Sequence, residues 1–162
     1  MIRGIHHTSI STRNLDRLLS FYCDLLGLEK VLDEGWEGGN DRMDNIVGLN
    51  NSSARAVMLD AGNTYIEMFE YSSPTPAEGD ANRRACDPAI THICFDVADA
   101  VATYEKLSSA GVFFHSEPQR ILHGVRTAYA RDPDGNIVEF QEIGNPKHVL
   151  IMKDFSAPIF GE

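Results

Sequence analysis

Two histidines and two glutamates stand at repeated positions and are the side-chain types that could together hold a divalent metal. His7 lies in GIHHTSIS and Glu67 in NTYIEMFEY; His92 lies in ITHICFDV and Glu139 in NIVEFQEI. Neutral imidazoles and carboxylates give Zn, Ni, Co, Mn or Fe nitrogen and oxygen ligands, and the carboxylates neutralise the ion's charge. A six-coordinate ion held by four such groups keeps positions open for a substrate. Without a cation, two carboxylates in one cleft would repel each other and be costly to desolvate. A single histidine or glutamate on a strand is ordinarily a core or solvated residue, so the reading rests on all four recurring together. The doublet His6–His7 adds a constraint, because neighbouring side chains on a strand point to opposite faces and cannot share one site.

A repeat in the chain says which elements must position these residues. GIHHTSISTRNLDRLLSFYCDLLGL opens with a β-like run and continues as a helix with Leu15, Leu18, Leu19, Tyr22, Leu25 and Leu26 on one face, ending at Gly27. ITHICFDVADAVATYEKLSSAGV has the same plan, with a β-like run over 90–97, helical positions at Val101, Tyr104 and Leu107, and a stop at Gly111. Laying His7 on His92, an offset of 85, brings Gly27 to within one residue of Gly111. The second halves also agree: RAVMLDAGNTYIEMFEY and VRTAYARDPDGNIVEFQEI each read as strand, turn, strand. Each module is therefore β-α-β-β-β.

The modules differ in length. His7 and Glu67 are 60 positions apart and His92 and Glu139 are 47 apart, so the first module carries 13 extra residues. They fall in EGWEGGNDRMDNIVGLNNSS, expected to be a loop with one short helix over 41–49. The organisation expected is one domain over 1–143, made of module 1 (1–72), a linker (73–87) and module 2 (88–143). A C-terminal extension follows over 144–162, where Val149, Leu150, Ile151, Phe155, Ile159 and Phe160 predict packing on the domain or on a partner subunit.

Strand parity sorts the candidates by face. In the run 90–97, Thr91, Ile93, Phe95 and Val97 suit the helix-covered side, which puts Ile90, His92, Cys94 and Asp96 on the other. By the repeat His7 takes the open face and His6 the opposite one, as a structural residue. In the last strands Ile66 and Met68, and Val138 and Phe140, face the helix. Tyr65, Glu67, Phe69 and Tyr71, and Ile137, Glu139, Gln141 and Ile143, then face the open side, while Glu70 and Glu142 do not. His115, His123 and His148 fall in or near loops and read as exposed. Trp36 and Arg42, in the insertion, suit a substrate mouth or an ordinary solvent-facing loop.

Composition narrows the partners. With 24 acidic and 14 basic residues and a net charge of -10, the chain does not suit nucleic acid or an anionic membrane surface. No run approaches the roughly 18 apolar residues of a membrane span. MIRGIHHTS lacks a signal-peptide core, so a cytoplasmic location is expected. Three cysteines, Cys23, Cys86 and Cys94, form no CxxC pair and suit a reducing compartment; none is given a catalytic role.

IHHTSIS with NLDRLLSFYCDLLGL, YIEMFEY, THICFDV and YARDPDGNIVEFQE cover most of 4–143. Together they resemble the vicinal oxygen chelate superfamily, which includes glyoxalase I, methylmalonyl-CoA epimerase, extradiol dioxygenases and the fosfomycin and bleomycin resistance proteins. The resemblance implies an α+β fold of paired βαβββ modules forming a cupped mixed sheet, one divalent metal held by His7, Glu67, His92 and Glu139, and a homodimer. Extradiol cleavage resembles a two-histidine, one-carboxylate site, so a full set of four favours a metal-dependent lyase or isomerase. Such an enzyme chelates a small carbonyl substrate through two oxygens and moves a proton through an enediolate or enolate, with Glu139 or Glu67 as base. The alternatives are a ring-cleaving dioxygenase and a non-enzymatic antibiotic-binding protein. No glutathione or coenzyme A anchor is legible. Parity predicts that His7→Ala abolishes metal binding and that His6→Ala leaves it nearly intact.

Overall fold

Asn14 and Asp99 begin the helices that cover the two sheets. Each lends its side-chain oxygen to backbone N–H groups of the first turn: Asn14 accepts from Arg17, and Asp99 from Val101 and Ala102. The structure, a computed structural model, describes residues 2–152, so the expected roles of Phe155, Ile159 and Phe160 lie outside the described residues. Two units divide the chain, Met1–Gly79 and Asp80–Glu162.

The first unit runs β1 (His7–Thr12), α1 (Leu15–Leu19), β2 (Glu29–Trp36), α2 (Asp41–Val47), β3 (Ser53–Asp60) and β4 (Tyr65–Ser73). Its sheet has the order β1-β4-β3-β2, with β1 parallel to β4 and the other pairs antiparallel. The second unit runs β5 (His92–Asp96), α3 (Ala100–Ser109), β6 (Gln119–Arg120), β7 (Val125–Arg131) and β8 (Ile137–Ile143). Its order, β5-β8-β7-β6, repeats the first, again with the outer pair β5-β8 parallel. A parallel pair needs a crossover, and in both units that crossover begins with the covering helix. The α+β class and the repeated βαβββ plan are thus present.

Each core lies between helix and sheet. Leu15 and Leu18 are buried with Ile10, Val57, Leu59, Ile66 and Met68 in the first unit; Ala100 and Leu107 are buried with Ala128, Ala130, Val138 and Phe140 in the second. The first helix departs from the regular pattern expected up to Gly27. After Leu19 it widens into a π-helical turn, Ser20–Leu25, in which the Leu26 N–H reaches back five residues to the Phe21 carbonyl at 3.1 Å. The wider turn rotates the apolar stripe, so that adjacent Phe21 and Tyr22 are both buried while Leu19, Leu25 and Leu26 are only partly covered. Gly27 then ends the helix at φ +85°, a conformation that suits glycine.

Glu70 and Glu142 face the helices, as parity requires, and do the same thing in each unit. Glu70 Oε2 accepts from the Leu15 N–H at 3.2 Å, and Glu142 Oε2 from the Ala100 N–H at 3.0 Å. Each carboxylate thereby ties the last strand to a helix N-terminus, where negative charge is favourable.

The insertion forms α2 as expected, capped by Asn40 and ended by Gly48 at φ +69°. The strand before it is longer than expected, because Gly35 pairs with Arg55 and Trp36 with Ala54, so Trp36 belongs to β2 and not to a loop. A Cβ at Gly35 would meet the Ala54 carbonyl oxygen at 2.5 Å; the glycine permits this close approach. The expected linker is also shorter than 73–87. Ser73 ends β4, and Arg131 donates to the carbonyls of Ala81 and Arg83, which fixes that stretch to the second unit. Val149 and Leu150 are 90 % and 64 % exposed, so they do not pack on the domain within the chain. No helix among the described residues is long and apolar enough to cross a membrane.

Two substitutions check this framework by urea unfolding. Leu18→Ala empties a fully buried site and is expected to cost about 3 kcal/mol, and Asp99→Ala removes a helix cap and is expected to cost about 1 kcal/mol. A cost near zero for both would mean that the helices do not pack as described.

Candidate metal centre

The parallel strand pairs create one histidine–glutamate pair per unit. His7 is in register with Tyr65, and Glu67 lies two residues further along β4; His92 is in register with Ile137, and Glu139 lies two residues further along β8. Two residues is one pleat period, so both glutamates return to the histidine's face and sit diagonally beside it. His7 Nε2 stands 3.4 Å from Glu67 Oε2, and His92 Nε2 stands 3.0 Å from Glu139 Oε2. Side-chain exposures of 39 % and 23 % in the first pair and 29 % and 13 % in the second leave both reachable from solvent.

These distances fit metal ligation. Two neighbouring donors, each about 2.1 Å from one octahedral ion, stand about 3 Å apart, close to both separations. The donor set also fits, with an imidazole nitrogen and a carboxylate oxygen in each unit. Among the described residues no three or more His, Cys, Asp or Glu side chains cluster as a complete site; each unit holds one histidine–glutamate pair.

His6 corrects the parity argument. It precedes β1, is exposed, and brings its Nδ1 to 2.9 Å from the Nδ1 of His7, with its ring also 5.3 Å from Tyr65. It therefore touches the site and is not a structural residue of the opposite face, because strand alternation does not extend to a residue outside the strand. The repeat explains the arrangement: at the offset of 85, His6 corresponds to Thr91, whose Oγ1 lies 2.9 Å from His92 Nδ1. In both units the preceding residue engages Nδ1 and leaves Nε2 facing the glutamate. Such outer contacts fix the tautomer and orientation of a ligating histidine.

The glutamates are held unequally. The Thr127 hydroxyl donates to Glu139 Oε1 at 2.6 Å, and Tyr129, paired across from Glu139, has its ring 5.0 Å from His92. Cys94 lies opposite Glu139 on β5; burial and then the Glu139 charge push its thiol up to about 12, although the residue is open to solvent on one side. Burial and the same carboxylate also raise Tyr129. In the first unit the corresponding positions are Met58 opposite Glu67 and Ala56 beside it, neither of which can donate a hydrogen bond. Among the described residues Glu67 has His7 as its only ion-pair partner. Thr127 and Tyr129 were legible in principle, since β7 alternates and its VRTAYAR run places both on the open face.

The other candidates lie elsewhere. His115 is exposed, with its ring 6.2 Å from Tyr129, and burial and the Arg131 charge lower it. His123 and His148 face each other at 6.3 Å, away from either pair, and Arg42 is exposed on α2. Trp36 is half-buried against Phe69 and Tyr71. A cavity of about 590 Å³ opens at the Trp36–Tyr71 end of the first sheet. Tyr71 is four residues along β4 from Glu67 and on the same face, roughly 13 Å away, so this cavity lies beyond the pair toward the far end of the strand.

Residues 4–140 match the family model described as the Glyoxalase/Bleomycin resistance protein/Dioxygenase superfamily. A probable lactoylglutathione lyase of Synechocystis sp. is 26% identical over 142 residues, which cover 87% of this chain and 96% of that protein. A 2-epi-5-epi-valiolone epimerase of Actinomyces sp. is 29% identical over 127 residues, 75% of this chain and 67% of that protein. Among solved structures, a glyoxalase family protein from Bacillus cereus superposes with a TM-score of 0.79 at 18% identity, covering 88% of this chain and 95% of that one.

The contacts to Nδ1 predict that His6→Ala and Thr91→Val each weaken divalent-metal binding about tenfold, the lower end of outer-shell effects. Competition against a chelator measures this, and wild-type affinity in both variants would show that these contacts do not orient the histidines.

Proposed function

The chain belongs to the glyoxalase/bleomycin resistance protein/dioxygenase superfamily, that of the vicinal oxygen chelate proteins. From its two histidine–glutamate pairs we propose that it is a divalent-metal-dependent lyase or isomerase acting on a small carbonyl compound. The observation that carries this reading is the pair built twice, at the same register, on the same face and at ligand spacing. Relatives named as a lyase and an epimerase support it.

His7, Glu67, His92 and Glu139 would hold the ion. A divalent ion there would supply Lewis-acid polarisation of two adjacent substrate oxygens, which acidifies the carbon–hydrogen bond beside the carbonyl. The glutamates then divide the remaining work according to how they are held. Glu139, fixed by Thr127 and His92, is the anchor. Glu67, bordered by Met58 and Ala56, is free to turn toward the substrate carbon, take its proton and return it to the same or the neighbouring carbon. Either glutamate is acceptable as base on sequence grounds; the unequal hydrogen bonding favours Glu67.

Elemental analysis of protein purified without added metal is expected to find about one divalent ion per site, and His7→Ala or His92→Ala to lose it. With α-hydroxycarbonyl compounds in deuterated water, the loaded protein is expected to introduce label beside the carbonyl without consuming oxygen. Glu67→Gln should retain most of the metal and slow exchange by 10²-fold or more, in the usual range for a lost general base. Glu139→Gln should mainly lose metal, with exchange partly recovered at high metal concentration. Stoichiometric oxygen uptake with ring opening of catechols would replace this reading with a dioxygenase, and tight antibiotic binding with neither reaction would replace it with a sequestration protein. Mixing the His7→Ala and His92→Ala proteins tests whether a homodimer shares its sites, because restored metal binding requires two chains to complement each other.

A further inference from the structure

Three aromatic rings form a corner on the open face of the first sheet. Trp36 of β2 stands edge-on to Phe69 (5.8 Å, 76°) and to Tyr71 (5.8 Å, 84°), and the rings of Phe69 and Tyr71 are 5.7 Å apart. They do not belong to the helix-side core, which Leu15, Leu18, Val57, Ile66 and Met68 fill. All three are half-buried. Alternation along β4 puts Phe69 and Tyr71 on the face of Glu67, two and four residues beyond it, roughly 7 and 13 Å from that carboxylate. The rings therefore continue the surface of the His7–Glu67 pair.

Trp36 is held in place by the insertion. Its Nε1–H donates to Ser52 Oγ at 2.9 Å, and Ser52 is fully buried. The Ser52 hydroxyl donates to Asp44 Oδ1 at 2.5 Å, and the same carboxylate accepts from the Ser52 and Asn51 backbones at 2.8 and 2.7 Å. With the indole N–H already satisfied, what remains for a ligand is a rigid aromatic surface. The adjoining cavity adds a charge preference: Glu34 and Glu37 line it, its Glu70 is held at the Leu15 N–H, and its single cation is Arg55. Arg55 is committed to Asp33 at 2.9 and 2.8 Å and to Asp16 at 2.8 Å. An anionic tail would meet carboxylates there.

We propose that Trp36, Phe69 and Tyr71 are the specificity subsite next to the His7–Glu67 pair, and that the substrate is a flat aryl carbonyl compound without an anionic tail. This rests on the carbonyl-chemistry reading above and adds the class of compound. The carbonyl end lies at Glu67, the ring system stacks in the aromatic corner, and a peptidyl or nucleotide thioester is disfavoured by Glu34 and Glu37.

Trp36 is the only tryptophan in the chain, so its fluorescence reports on this corner alone. Metal-free protein is titrated by calorimetry and by Trp36 emission with 2-hydroxyacetophenone, its 2-naphthyl analogue, hydroxyacetone and S-lactoylglutathione. Both aryl ketones are expected to quench Trp36, and the naphthyl compound to bind at least about tenfold more tightly than hydroxyacetone or S-lactoylglutathione, as one added aromatic contact with its buried area allows. Phe69→Leu, which keeps an apolar side chain and so spares the fold, is expected to weaken the naphthyl ligand about tenfold. Equal affinities for the naphthyl ketone and hydroxyacetone, tighter binding of S-lactoylglutathione, or an unchanged affinity in Phe69→Leu would overturn the proposal. The two readings fail separately. Aryl quenching together with metal content unaffected by His7→Ala would sink the metal reading and leave the subsite; metal loss in His7→Ala without aryl preference would do the reverse.

Discussion

The register of two parallel strand pairs, β1 with β4 and β5 with β8, is the constraint on which the rest depends. It places each histidine one pleat period from its glutamate, and the same alternation buries Ile66, Met68, Val138 and Phe140 beneath the helices. A slip of one residue would turn every side chain of the strand to the other face. Met68 would then lie in solvent and Glu67 under a helix. The burial of large apolar side chains beneath the helices therefore fixes the geometry of each histidine–glutamate pair on the opposite face.

The last strand of each unit also separates two uses of one residue type. Glu67 and Glu139 face outward beside histidines, while Glu70 and Glu142, three positions further on, face inward and hold the first backbone N–H of a helix. An odd spacing on a strand gives opposite faces, so neighbouring carboxylates meet quite different surroundings. The helix-bound pair joins the crossover to the strand that carries Glu67 or Glu139, which links helix position to the position of that glutamate through one hydrogen bond in each unit.

Much of this arrangement was legible in the residues. Duplicated hydrophobic patterns revealed the β-α-β-β-β plan, and alternation distinguished Glu67 from Glu70 and Glu139 from Glu142. Other features lay beyond local pattern. Phe21 enters the core only because the helix widens, and a regular period cannot anticipate an extra residue in a turn. Trp36 stood among glycines that read as loop, yet Gly35 is a point of close strand approach. His6 lies just outside the strand, where alternation has no force, and its role emerged from its match to Thr91. Thr127 and Tyr129 lie on β7, whose alternation carries the same information as that of β8.

The unequal support of the two glutamates has a consequence for how such a protein can diversify. Two identical subunits that each carried one module would share every substitution, and a hydroxyl placed beside one carboxylate would appear beside the other. Here both modules are written into one polypeptide, and the neighbours of each glutamate are encoded separately: Ala56 and Met58 for one, Thr127 and Tyr129 for the other. One half can be stiffened while the other stays pliable, and two modules of the same strand order can take on different duties.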